Sequence, residues 1–116
     1  MTPRALSKKA YEIRMDIIRA LLLAKSGHTG GPLGMADIFT ALYFDIVRVD
    51  PKNPTDPNRD RIVLSNAHIC PVLYATLAQR GFCSREQFLT SLRKLGSPFQ
   101  GHSNNHFNMG IETCGG

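Results

Sequence analysis

No run of this sequence approaches the roughly 18 consecutive apolar residues that a membrane span requires, so no membrane partner is expected. The opening Met1-Thr2-Pro3-Arg4 passes straight into mixed charged and apolar residues. It lacks the apolar stretch and small-residue cleavage site of a secretory signal, and a cytoplasmic location is expected. Basic residues form no block. The 14 Lys and Arg against 9 acidic residues give a formal charge of +5, yet they are spread along the chain, which argues against a nucleic-acid partner. Cysteine is sparse: Cys70, Cys83 and Cys114 cannot all pair within one chain and form no Cys-x-x-Cys. Reduced thiols are expected in place of a disulfide framework.

What remains is an ordinary globular composition, 42% hydrophobic and 20% charged. Its 116 residues give room for one domain that buries about two thirds of its unfolded surface. Thr2 before Pro3 predicts a helix cap and a preorganised first turn. Leu6, Ala10, Ile13, Ile17, Ala20, Leu21 and Ala24 recur at steps of three and four, so an amphipathic helix is predicted to about residue 25. Ser26-Gly27-His28-Thr29-Gly30-Gly31-Pro32-Leu33-Gly34 then reads as a helix-ending loop. It has neither the Gly-Lys-Ser/Thr of a Walker motif nor the preceding strand of a dinucleotide fingerprint.

Residues 35–47 predict a second helix, apolar on several sides and therefore buried in the domain or against another chain. Asp50-Pro51, Asn53-Pro54 and Asp56-Pro57 make a surface connector. Residues 61–65 read as the one strand, short and continuously apolar like a parallel-sheet strand covered on both faces. Through Asn66-Ala67-His68 it leads into a helix over 71–80, closed by Gly81. Ser84 with Gln87 then opens a fourth, short helix that buries Phe88, Leu89 and Leu92. The predicted fold class is α/β, mostly helical with one parallel-sheet strand near 61–65. A buried strand needs partners for its backbone groups, and no second strand is evident. Either strands come from another polypeptide, or these residues begin a longer domain.

Three histidines stand on small-residue loops at the ends of regular elements: His28, His68 and His102, the last in Gln100-Gly101-His102. Glycine lets backbone approach a ligand closely, and imidazole donates or accepts a proton near neutral pH. Loops on a rigid scaffold carry function, so the three are expected to line one pocket for a polar, often phosphorylated ligand. His102 and His106 also stand in a loop with three residues between them, but without cysteine partners they make a poor zinc site, and no metal ligand is expected here.

Four segments together resemble the N-terminal part of a transketolase: residues 26–38, Asp60-Arg61-Ile62-Val63-Leu64-Ser65-Asn66-Ala67-His68, Lys94-Leu95-Gly96-Ser97-Pro98-Phe99-Gln100-Gly101-His102, and Gly110-Ile111-Glu112-Thr113. The resemblance implies that residues 1–116 are the incomplete start of a thiamine-diphosphate-binding domain. It also implies transfer of a two-carbon ketol unit between a ketose phosphate and an aldose phosphate, with the hard chemistry belonging to the cofactor. By the same resemblance His28 faces the substrate, His68 contacts the diphosphate, His102 bonds the donor sugar, and Gly116 begins a turn toward the cofactor's rings.

Departures from the family pattern are specific. Ala67 stands where the family usually has glycine, and no Gly-Asp-Gly metal segment occurs. The ligands of the divalent cation (Mg) that accompanies thiamine diphosphate are therefore not in this chain, and the isolated chain is expected to be inactive. A complementary C-terminal chain or segment would complete it, and the complete enzyme is expected to be a homo-oligomer acting on sugar phosphates. Two other readings are a non-catalytic interaction module and a fragment of a related thiamine-dependent enzyme such as a deoxyxylulose-phosphate synthase. Gln100-Gly101-His102 favours transketolase over the synthase.

Overall fold

The computed structural model describes residues 1–113. Gly116 and Cys114 lie outside them. Helix α1 (Pro3–Ala24) starts where the sequence says it should: Thr2 Oγ1 accepts the Ala5 N–H at 3.1 Å, and Pro3 occupies the first turn. Lys25 ends it in the left-handed region, φ 57°, with its N–H returned to Leu21 O. Its buried stripe is Ala10, Ile13, Ile17, Ala20 and Leu21, in agreement with the apolar spacing.

The next segment departs from expectation. Gly30–Gly34 is a short helix, α2, in place of the expected loop, and the single helix over 35–47 is instead α3 (Ala36–Ala41) followed by a π-helical turn, Leu42–Ile46. Tertiary packing overrides glycine's poor helix propensity here. A Cβ on Gly31 would lie 2.8 Å from Ile69 Cγ2, so only glycine lets α2 settle on that residue. In the π turn Val47 N–H reaches back to Leu42 O at 2.9 Å, one residue further than an α-helical bond. Phe39 and Tyr43 are buried, but Ile38 and Ile46 are 51% and 63% exposed, so the expected burial on several sides is only partial.

A 3₁₀ turn (Ala67–Ile69) leads into α4 (Cys70–Arg80), whose residues 70–78 are all buried. This helix is the central strut. Helices α1, α3 and α5 (Arg85–Ser91) pack around it. Gly81 (φ 100°) closes α4, and Ser84 Oγ caps α5 by accepting the Gln87 N–H at 3.1 Å. The carboxylate of Asp16, 1% exposed, is held inside by Arg85 (2.7 and 2.8 Å) and by Gln79 (2.7 Å), which ties α1 to both α4 and α5.

The strand at 61–65 is not formed, and among the described residues every regular element is helical. The reason is the one the sequence raised: strand geometry is kept by a hydrogen-bonded neighbour, and the described residues supply none. Ile62 and Leu64 still pack against the core, whereas Val63 is 61% exposed.

Candidate active site

Three loops carry the histidines, and each is held by a different device. At the end of α1, Gly27 takes φ +122°, and a Cβ there would meet Leu21 Cδ2 at 2.6 Å. Only glycine turns the chain at that point and leaves His28 exposed on the surface. In the second loop Asn66 Oδ1 accepts the His68 N–H at 3.1 Å. Ala67 and Ile69 on either side are buried, so His68 points outward. Because α2 rests on Ile69, the first two loops meet: the rings of His28 and His68 lie edge to face, centroids 4.8 Å apart at 64°.

The third loop hangs from an aromatic cluster. Phe99 is fully buried against Tyr74 and Phe88, with centroids 5.4 and 5.6 Å away. Tyr74 OH donates to Gln100 O at 2.7 Å, and Gln100 Nε2 donates to Lys94 O and Ser97 O, each at 2.7 Å. The next residues, Gly101 and His102, are exposed. One side chain joins this loop to the first. Arg93 Nη1 lies 3.8 Å from the position a Cβ would take on Gly27 and 3.7 Å from the corresponding position on Gly101. His28 and His68 are therefore in direct contact, whereas for His102 the structure shows only that Arg93 lies near both Gly101 and Gly27, the glycines that precede His102 and His28.

This arrangement offers exposed imidazoles beside the N-terminus of α4, whose first turn carries no acidic side chain of its own. A helix N-terminus presents the positive end of the backbone dipole, and neutral or protonated imidazole adds a donor. That donor set fits one end of a diphosphate. Gly30 is exposed, and beyond its own neighbours and helix backbone nothing lies within 4 Å of its Cβ position, which leaves room for it. The described residues do not fit a divalent cation, for they bring together no three His, Cys, Asp or Glu side chains.

Sequence reasoning missed two groups. Arg93 carries no motif, and its place between two loops is visible only in three dimensions. Arg59 and Glu112, 53 positions apart, form a pair with bonds of 2.8 and 2.7 Å, both side chains about 15% exposed. Arg59 hydrogen bonding holds the Glu112 carboxyl below the usual glutamate range, burial opposing it in part. The pair staples the connector to the C-terminal loop beside a narrow crevice, lined by Tyr43, Pro54 and Phe82 among others, that none of the histidines lines.

Comparison with known proteins bears directly on this geometry. Residues 6–116 match the family model described as transketolase, thiamine diphosphate binding domain. The chain belongs to the transketolase family. It is 43% identical to transketolase 7 of Craterostigma plantagineum over 115 residues, covering 98% of this chain and 17% of that protein. It is 40% identical to an apulose-4-phosphate transketolase subunit of Phocaeicola vulgatus, covering 88% of this chain and 36% of that protein. The crystal structure of transketolase from Campylobacter jejuni superposes with a TM-score of 0.90 at 37% identity, covering all of this chain and 18% of that one. The chain thus spans about a sixth to a third of the length of these relatives. This likeness favours a transketolase fragment over an interaction module or a deoxyxylulose-phosphate synthase. Among the described residues no helix is long and apolar enough to cross a membrane.

Proposed function

We propose that these residues are the first part of a transketolase thiamine-diphosphate-binding domain, and that once completed they serve transfer of a two-carbon ketol unit between a ketose phosphate and an aldose phosphate. The observation that carries this reading is the meeting of the His28 and His68 rings at 4.8 Å, across loops that the family motifs occupy. His28 hydrogen-bonds substrate hydroxyls and moves a proton near the reacting carbon. His68 donates to the diphosphate, and His102 bonds the donor sugar. Gly116, outside the described residues, begins the turn toward the cofactor's rings. Thiamine diphosphate, when bound, supplies the stabilised negative charge that the two-carbon transfer needs.

Magnesium enters with the segments that bring its ligands, and residues 61–65 become a parallel-sheet strand when those segments supply neighbours. Two relatives are themselves named as subunits: the Phocaeicola vulgatus protein and the 6-deoxy-6-sulfo-D-fructose transketolase subunit of a Clostridium, of which this chain covers 36% and 38%. Those names support completion by a complementary chain. A Pichia stipitis transketolase solved with sedoheptulose 7-phosphate, 39% identical with a TM-score of 0.89, supports a sugar-phosphate substrate. The completed enzyme is a homo-oligomer in the cytoplasm.

Titration calorimetry with thiamine diphosphate and magnesium, on this chain alone and then mixed with a complementary C-terminal segment, tests the reading. Binding and ketol transfer in the mixture only are the expected outcome. Tight binding by the isolated chain, or an inert mixture, would overturn it.

A further inference from the structure

Arg93 occupies a conformation that an ordinary residue avoids. Its φ is +62°, in the left-handed region, directly after α5 and its cap residue Leu92. Glycine serves at φ +82° only three residues later, at Gly96, so the local turn chemistry of this loop already uses the residue that tolerates such geometry. A non-glycine residue held there persists where the surrounding structure over-determines it, and such outliers concentrate at functional sites. Here the over-determination is visible. Arg93 N–H donates to Phe99 O at 2.7 Å, which fixes the backbone to the residue that anchors the third loop.

The side chain then runs between two glycines. Its Cδ and Nη1 lie 3.6 and 3.8 Å from the Cβ position of Gly27, and its Nη1 and Cζ lie 3.7 and 4.0 Å from that of Gly101. Gly27 precedes His28, and Gly101 precedes His102. Arg93 is exposed, and among the described residues its guanidinium has no ion pair, so no carboxylate holds it beside the two glycines. The flat guanidinium suits contact with bare backbone, which a compact ammonium does not reproduce.

We propose that Arg93 is a positioning residue of the site: its left-handed backbone and guanidinium set the spacing between the His28 and His102 loops. It acts through those loops and not as a catalytic group. The inference rests on the functional reading above for its catalytic consequence, but not for its structural one.

Two measurements on wild type, Arg93→Gly and Arg93→Lys separate these. In ¹⁵N-correlated spectra of the chain, Arg93→Gly is expected to move the amide resonances of both Gly27 and Gly101, while Arg93→Lys moves them less. Spectra in which either glycine stays put would overturn the spacer. In the chain completed by its complementary segment, Arg93→Gly is expected to keep or raise Tm, because glycine relaxes the left-handed backbone. Cofactor affinity stays within twofold, and kcat/KM for the donor sugar falls roughly tenfold, partly rescued by lysine. A loss of activity that simply follows a fall in Tm, or unchanged kcat/KM in an active mixture, would equally overturn it. A completed wild type without ketol transfer would instead sink the functional reading and leave the spectra to decide the spacer.

Discussion

The helical half and the loop half of this chain are stabilised in opposite ways. Helices α1, α4 and α5 close a core on themselves, with Ile13, Ile17, Tyr74, Leu77, Phe88 and Phe99 all fully buried. Residues 48–65 and 103–113 have no regular structure beyond turns and bends, and they are drawn together by Glu112, which pairs with Arg59 at 2.7 Å and with Arg61 at 3.5 Å. Where apolar burial suffices, the fold is complete from local sequence. Residues 61–65 find no paired strand among the described residues, and this half is held by ion pairs and a few side-chain bonds. The histidine loops sit at the boundary, anchored to the helical half through Leu21, Ile69 and Phe99.

Emptying the aromatic cluster breaks that contrast most severely. Phe99→Ala should cost about 4 kcal/mol by urea unfolding, since a large buried ring leaves a cavity, and it should release Gln100-Gly101-His102 as well. Breaking the ion pair of the buried Asp16 comes next, and its two partners differ. Arg85→Met should cost about 3 to 5 kcal/mol because Asp16 stays buried with only Gln79 to answer its charge. Asp16→Asn should cost less, about 1.5 to 3 kcal/mol, because Arg85, whose side chain is 45% exposed, can turn to water.

Acid sharpens the comparison from the other side. The folded-state pKa of Glu112 is depressed by Arg59, so the pair contributes stability that is fully present above the ordinary glutamate value of 4.5 and is lost as pH falls through the lower folded value. Hydrogen exchange from pH 6 down to about pH 3 should therefore show residues 103–113 losing protection while α1 and α4 keep theirs. Glu112→Gln should produce the same loosening at neutral pH. The smallest effect belongs to Cys83: burial pushes its thiol up to about 12, so alkylation at pH 8 should run far slower than for a free thiol. Its rate should rise in Phe99→Ala.

Much of the helical half is legible because its signals are local. Thr2 with Pro3, Ser84 with Gln87, and Gly81 mark helix ends through bonds spanning a few residues, and their spacing alone places those ends correctly. The loop half is not, because its determinants are distant. Gly31 forms helix in spite of its propensity only because Ile69 lies beneath it. Arg59 finds Glu112 across 53 positions, and Arg93 has no signal short of the folded loops. The run at 61–65 has the composition of a strand, but composition does not supply a neighbour. As for the histidines, their glycine-rich settings point to loops, while the edge contact of His28 with His68 depends on the packing of α2.

The most direct test replaces the three imidazoles singly in the chain completed by its complementary segment, reading cofactor affinity and donor-sugar turnover separately. His68→Ala should weaken thiamine-diphosphate binding, whereas His28→Ala and His102→Ala should leave it within a few-fold and depress kcat/KM for the ketose phosphate by at least tenfold. Variants that all behave as wild type, or that lose cofactor and sugar together without distinction, would contradict a shared site built from these loops.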